Sequence, residues 1–221
     1  MSDSSPVTAV IINFKTPELT RRAVETFRKR YSSLPLLLID NGSGAASAAE
    51  LRRLQEAYPD RTELLLNPRN IHHGPAMDQA LRCLPSRYIL FIDSDCEVRR
   101  EGFVEQMTRI AGQEPGVYAV GKRIFMNARG FDVEQSAGAH AYIRPICMLV
   151  NREAYLTLPP FERHGAPCLT NMIAAAASGL KLVHFPVEDY VRHEGRGTAA
   201  RYGYRLGVKG KVNHLLNRLG L

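Results

Sequence analysis

Apolar runs and amphipathic segments alternate through the first half of the chain. The apolar runs are rich in Ile, Leu and Val and predict buried strands at residues 7–13, 34–40, 62–66 and 88–92. Helical segments are predicted after the first three strands, over residues 17–31, from residue 47 onward, and over residues 75–84. This alternation with short links predicts an α/β fold, in which a mostly parallel central sheet carries helices on both faces.

Capping signals mark where two of these helices begin. Thr16 is predicted as an N-cap, with Pro17 at the first helical position. Residues 47–50 have the Ser-x-x-Glu pattern of a capping box, which predicts that the second helix starts at Ser47.

The second half of the chain is less regular. Its pattern predicts helices at 102–113 and 167–177, strands at 117–124, 146–150 and 181–186, and a polar, glycine-rich loop or hairpin at 127–139. A further helix is predicted to begin at Arg152.

Two carboxylates directly follow the fourth predicted strand. Asp93 and Asp95 are separated by one serine, and residues two apart in an extended chain point to the same side. Their mutual repulsion is relieved by a divalent cation, and hard oxygen ligands favour Mg²⁺ or Mn²⁺. The alternative interpretation is a polar turn in which one aspartate caps the next helix.

Composition narrows the class of protein. The net charge of +7 indicates an anionic partner, whether nucleotide phosphates, lipid headgroups or nucleic acid. The N-terminal residues do not resemble a signal peptide, and the cysteines are scattered, which argues against a zinc cage or a disulfide framework and favours the cytoplasm. Neither Gly-x-Gly-x-x-Gly nor a P-loop pattern is present, which argues against a dinucleotide site.

Four stretches of the first half occur in a distinctive order. They are residues 8–19 (TAVIINFKTPEL), 38–43 (LIDNGS), 67–70 (NPRN) and 91–95 (FIDSD). Together they resemble a family 2 glycosyltransferase of GT-A fold. The resemblance implies a single Rossmann-like domain with a nucleotide-binding half at 1–100, an acceptor-binding half at 101–198 and a basic tail at 199–221.

The resemblance also assigns roles at the nucleotide. Asn13 and Phe14 would line the base pocket, and Asp40 would accept a hydrogen bond from a uracil-like N–H. Asp93 would lie near the ribose, and Asp95 would be the metal ligand. Simpler alternatives stay open for two of them, because Asp40 also suits a turn cap and Asn13 suits a tie for the loop after its strand.

The loop at 67–74 lies where such enzymes cover the nucleotide. Arg69 is a candidate phosphate or base contact, because a guanidinium offers a planar fork of donors. Asp78 is a candidate for positioning ribose or sugar, or else belongs to a solvated helix face. His72 and His73 are interpreted as exposed loop residues.

The general base is the main departure from the family pattern. The Glu-Asp pair that usually supplies it falls on Pro167 and Cys168 in this chain. His164 and Glu162 are the nearby groups able to accept a proton, and Glu188 or Asp189 are the alternatives.

A late strand is followed by a histidine and a Gly-x-Gly-Thr sequence, which resembles the late GT-A element that supplies a further metal ligand. His193 is the matching residue, and an imidazole favours Mn²⁺ over Mg²⁺. Arg196 and Thr198 would reach the diphosphate from a flexible lid.

The resemblance therefore implies a metal-dependent, inverting glycosyltransferase that uses a nucleotide-sugar donor, a UDP-sugar. The acceptor stays open among lipid, glycan, peptide, small molecule and modified nucleic acid. The basic tail suits a peripheral contact with the inner face of a membrane, a polyanionic acceptor, closure over the donor site, or simply a solvated tail. The rival functions are a nucleotidyltransferase and a catalytically silent binding protein.

Overall fold

The computed structural model describes residues 6–162 and 165–194. The strands are β1 (Val7–Asn13), β2 (Leu36–Asp40), β3 (Thr62–Leu66), β4 (Tyr88–Asp93), β5 (Cys96–Val98), β6 (Val117–Met126), β7 (Asp132–Val133), β8 (His140–Asn151), β9 (Lys181–His184) and β10 (Val191–His193). The helices are α1 (Pro17–Arg30), α2 (Ala45–Ala57), α3 (His73–Cys83), α4 (Phe103–Gln113), α5 (Arg152–Tyr155) and α6 (Leu169–Ala177).

Most of the strands form one mixed sheet. Its order is β3-β2-β1-β4-β8-β6-β7, with β9 also paired to β6. The first four of these strands run parallel, and β8 is antiparallel to both β4 and β6. Strands β10 and β5 form a separate antiparallel ribbon. The α/β prediction with a mostly parallel sheet is confirmed.

Helices cover both faces of the sheet. In β1, Ala9 and Ile11 face a cluster that contains Phe27 of α1 and Phe103 of α4. The intervening Val10 and Ile12 face a second cluster, built around α3 and α6. Alternate residues of a strand point to opposite faces, so a strand between two cores must be apolar throughout. In the described residues, no helix is both long and apolar enough to span a membrane.

The start of α2 differs from the sequence prediction. The helix begins at Ala45, and Gly44, with φ of 102°, occupies the N-cap position. Ser47 therefore lies inside the first turn, so the predicted capping box is wrong. Its hydroxyl is instead drawn into a tertiary contact, where it accepts a hydrogen bond from the Asn13 amide at 2.7 Å.

Strand β8 is longer than predicted, and its pairing with β6 is interrupted by a bulge. Gly121 of β6 lies opposite Met148, whereas Arg123, two residues later, lies opposite Ile143. A side chain at Gly121 would meet Ile143 Cγ2 at 2.7 Å. Only glycine at position 121 therefore lets β6 and β8 approach this closely at the bulge. Pro145 lies within β8, and a proline usually argues against a continuous strand, so the sequence did not predict that β8 continues through this position.

Candidate active site

Three parallel strands bring polar residues to one edge of the sheet. Strand β1 ends at Asn13, β2 at Asp40 and β4 at Asp93. The register sets Asn13 directly beside Asp40, and Ile12 beside Asp93. Ligands of open α/β sheets bind beyond this carboxyl edge.

The buried side chain of Asn13 links the segments that follow β1 and β2 by hydrogen bonds. Its amide nitrogen donates to Asp40 Oδ1 at 2.6 Å, and its amide oxygen accepts from the Thr20 hydroxyl at 2.9 Å. The side chain is 0% exposed, so it orders the candidate base pocket from behind and does not line its surface. The simpler interpretation of Asn13, a tie for the loop, describes what the structure shows.

Asp40 is set in place by the protein itself. Its Oδ2 accepts the backbone N–H of Ser43 at 2.9 Å, in addition to the Asn13 bond, and the residue is buried. Its Oδ1 also accepts from the Ser47 hydroxyl at 3.4 Å. Each carboxylate oxygen has two lone pairs, so Oδ2 keeps acceptor capacity for one further donor. The turn that follows is fixed too, because a side chain at Gly42 would meet the Arg69 carbonyl carbon at 2.2 Å.

Two further candidates beside this pocket, Phe14 and Arg69, are at least partly accessible. Phe14 is half-buried directly after β1, and Lys15 Nζ lies 5.3 Å from its ring centroid. Arg69 is exposed, and its backbone is held against Gly42. The loop between β3 and α3 thus packs against the turn that follows β2.

Asp78 is engaged by neighbours on the α3 side. It accepts from Arg82 Nε at 2.9 Å and from the Tyr155 hydroxyl at 2.6 Å. These contacts give it a structural role between α3 and α5.

Asp95 and His193 meet across the β5–β10 ribbon. The pairing places His193 opposite Cys96, next to Asp95 in the chain, and His193 Nε2 lies 3.1 Å from Asp95 Oδ1. Asp93 Oδ2 is 4.0 Å from the same nitrogen. The hydrogen bond to Asp95 raises the pKa of His193, burial opposes the shift, and the charges of both aspartates add to it.

These groups fit a divalent cation. Adjacent ligands of an octahedral ion with bonds of about 2.1 Å lie about 3 Å apart, close to the 3.1 Å that separates Asp95 and His193. Cys96 Sγ lies within 4.8 Å of their ligand atoms, but burial raises the pKa of this thiol well above its usual value. The thiol thus stays protonated, and it donates to the Ile146 carbonyl at 3.3 Å. Within the described residues, this cluster therefore offers the Asp95 carboxylate and the His193 imidazole as ligands.

His73 is a functional candidate that sequence reasoning missed. It opens α3, and its Nε2 lies 3.7 Å from Asp93 Oδ1. The interpretation of His73 as an exposed loop residue is therefore wrong, because its side chain is only 27% exposed and faces the carboxyl edge. The sequence could have indicated this from the position of His73 at the start of the helix after β3, because that helix begins at the same edge of the sheet where β4 ends.

Glu162 lines a cavity of about 560 Å³ that also includes Arg129 and Thr170. Its Oε2 accepts from the Thr170 hydroxyl at 3.2 Å. Cys168, where the family pattern places an acid, is fully buried, and burial raises its thiol pKa. The predicted sites His164, Arg196 and Thr198 lie outside the described residues.

Of the two alternative bases, Glu188 forms an ion pair with Lys122 at 3.2 Å. It lies in the turn before β10, with Asp189 beside it.

The backbone of Glu162 packs directly against Gly74 at the start of α3. A methyl group at Gly74 would lie 1.7 Å from the Glu162 carbonyl oxygen. We expect Gly74→Ala to lower the thermal midpoint by about 5 °C, because overpacking costs about 1–3 kcal/mol and each kcal/mol shifts the midpoint of such a chain by about 2–4 °C. Differential scanning calorimetry measures this change.

Gly112→Ala is the matched control, because its added methyl carbon would have no neighbour nearer than the Tyr88 hydroxyl at 3.8 Å. Alanine is also the better helix former, so the midpoint of this variant should stay or rise. Equal midpoints for the two variants would show that the Gly74 contact does not constrain α3.

Several solved structures have a fold similar to that of this chain. The chain matches a mannosyltransferase from Pyrobaculum calidifontis in complex with GDP-Man and Mn²⁺, at a TM-score of 0.67 and 16% identity over 84% of this chain and 56% of that one. It matches GalNAc-T7 with UDP, GalNAc and Mn²⁺ at 0.68 and 12% identity, over 84% and 43% of the chains. It matches S. aureus TarS residues 1–349 at 0.59 and 10% identity, over 84% and 59%.

The chain thus shares the GT-A fold of these solved structures. The family model for glycosyl transferase family 2 matches residues 8–172, and the chain belongs to that family. No curated protein sequence matches the chain. The chain spans between about two fifths and three fifths of the solved structures it resembles.

Proposed function

We propose that this protein transfers a glycosyl group from a nucleoside-diphosphate sugar, a UDP-sugar, to an acceptor hydroxyl. The observation that carries the proposal is the 3.1 Å approach of Asp95 to His193 beside Asp93, at the edge of the sheet where ligands bind. Two acids and an imidazole that converge there form a site for a cation and the diphosphate it neutralises.

The nucleotide is proposed to lie along the carboxyl edge. Phe14 and Arg69 border the base, and Asp40 accepts its N–H. Asp93 faces the ribose, while Asp95 and His193 hold Mn²⁺ in preference to Mg²⁺, because a nitrogen ligand suits manganese better. When bound, the cation supplies Lewis-acid stabilisation of the departing diphosphate.

The chemistry of Asp40 suits uracil, whose ring N–H is a hydrogen-bond donor, and it suits the ring N–H of guanine in the same way. A buried carboxylate accepts hydrogen bonds only, and it thus selects a base edge that presents an N–H donor. The similar structures bind either GDP-Man or UDP, so guanine is the alternative base. Arg196 and Thr198 are proposed to contact the diphosphate.

The acceptor hydroxyl is proposed to enter through the cavity at Glu162. Glu162 faces that cavity beside Thr170, and either it or His164 takes the proton as the hydroxyl attacks. A single displacement of this kind inverts the anomeric configuration. The basic tail is proposed to hold the protein against a polyanionic acceptor or the inner face of a membrane, with the domain in the cytoplasm.

Titration of the protein with UDP and GDP, each with and without Mn²⁺, tests the proposal. We expect Mn²⁺-dependent binding of at least one nucleotide, with UDP the tighter ligand, and slow Mn²⁺-dependent hydrolysis of the matching sugar nucleotide. A silent binding protein gives binding without hydrolysis, and a nucleotidyltransferase releases pyrophosphate from a nucleoside triphosphate. Absence of Mn²⁺-dependent binding with both nucleotides would contradict the proposal.

A further inference from the structure

Two imidazoles flank Asp93. His73 Nε2 lies 3.7 Å from its Oδ1, and His193 Nε2 lies 4.0 Å from its Oδ2. His193 also pairs with Asp95, so one imidazole is committed to the cation site. The His73 side chain and that of Asp93 are about a quarter exposed, and both remain accessible to a ligand.

The backbone holds His73 in place before any ligand arrives. The Asn41 amide donates to the His72 carbonyl at 3.2 Å, and the His72 N–H donates to Asn70 Oδ1 at 2.7 Å. Gly74 is packed against Glu162 on the other side. Because the backbone on both sides of His73 is already fixed, binding does not have to order this segment, as a recognition residue requires.

The order of groups along the edge matches the order of parts in a nucleoside diphosphate. Asp40 ends β2, Asp93 ends β4 two strands away, and the Asp95–His193 pair lies beyond it. Neighbouring strands are about 4.8 Å apart, so Asp40 and Asp93 are separated by about 10 Å. With the base at Asp40 and the diphosphate at the cation, the ribose falls between them.

We propose that His73 and Asp93 together recognise the 2′,3′-diol of the donor ribose, which makes His73 a specificity-determining residue. This inference rests on the proposed function. A separation of 3.7 Å is too long for a direct hydrogen bond but suits two groups that bind adjacent hydroxyls. The carboxylate accepts from one hydroxyl, and the imidazole nitrogen donates to or accepts from the other.

Calorimetric titration with natural and deoxy nucleotides tests the assignment. UDP is compared with 2′-deoxy-UDP and 3′-deoxy-UDP, and GDP with its deoxy analogues, all with Mn²⁺. The unmodified protein is expected to bind the ribonucleotide about tenfold more tightly than each deoxy form, because a site built for a hydroxyl rejects its loss. In His73→Ala the ratio should fall to about twofold or less for one of the two deoxy forms, while the affinity for that deoxy form stays nearly unchanged.

His72→Gly is the matched control, because His72 is exposed and has φ of 73°, a conformation that glycine adopts without strain. Its ratios should equal those of the unmodified protein, and His73→Asn, which keeps a donor and an acceptor, should retain part of the discrimination. Equal weakening of all nucleotides by His73→Ala would assign the imidazole to another part of the donor and overturn the inference. So would an absence of discrimination in the unmodified protein. Failure of every nucleotide to bind would instead reject the proposed function.

Discussion

Asp95→Ala is expected to lower turnover by about a thousandfold or more, which corresponds to the loss of several kcal/mol of charge stabilisation in the transition state. Asp95 supplies the carboxylate that lies 3.1 Å from His193, and its removal leaves a single imidazole for the cation. The fold should persist because Asp95 lies in the short turn between β4 and β5 and not in a core strand. Donor hydrolysis assayed across a range of Mn²⁺ concentrations measures the effect.

Asp60→Ala is the control for this substitution, since Asp60 is an exposed aspartate in the turn before β3. It should leave both turnover and the Mn²⁺ dependence unchanged. If Asp95→Ala has normal turnover at the same Mn²⁺ concentration, the residue has no part in the reaction.

Asn13→Ala is expected to destabilise the protein by about 3 kcal/mol and to abolish nucleotide binding. The substitution removes the donor that lies 2.6 Å from Asp40 Oδ1 and leaves a buried carboxylate short of a partner. It also frees the start of α1, because the Asn13 amide oxygen accepts the Thr16 N–H at 3.2 Å. Denaturant unfolding gives the free energy, and titration with UDP and Mn²⁺ gives the binding.

The double variant Asn13→Ala with Asp40→Ala separates the contribution of the Asn13–Asp40 hydrogen bond from that of the other hydrogen bonds of Asn13. If the bond between them dominates, the double variant is less destabilised than the sum of the two single variants, because no charge is left unpaired. Strict additivity of the unfolding free energies would show that the two side chains act independently.

The core of the fold could be predicted from local pattern. Buried strands such as β1 and β4 are apolar runs of the right length, and the polar residues at their ends lie where parallel strands end together. Local pattern could not predict the position of His193, because it depends on the pairing of β10 with β5, almost a hundred residues away in the chain. Only the resemblance to a family indicated it.

The errors have tertiary causes. Ser47 has the sequence of a capping box, but its hydroxyl is bound by Asn13 from another element, and the helix starts two residues earlier at Ala45. His73 lies in α3 and not in the preceding loop, because this helix begins two residues before Pro75, the first helical residue that the sequence predicts. In both cases a contact between distant segments determines the local structure, which periodicity within one segment does not register.

The bulge between β6 and β8 has a consequence for how the two halves of the domain vary. On one side of the bulge, Met148 and its neighbours in β8 pair with β4. On the other side, the far end of β6 pairs with β7, and Arg129 lies in the loop between those two strands. We therefore expect insertions or deletions between Asn127 and Ala139 to leave unchanged the register of β8 against β4, which ends at Ile92 beside Asp93. The chain can therefore exchange one wall of the Glu162 cavity as a module while the cation site keeps its geometry.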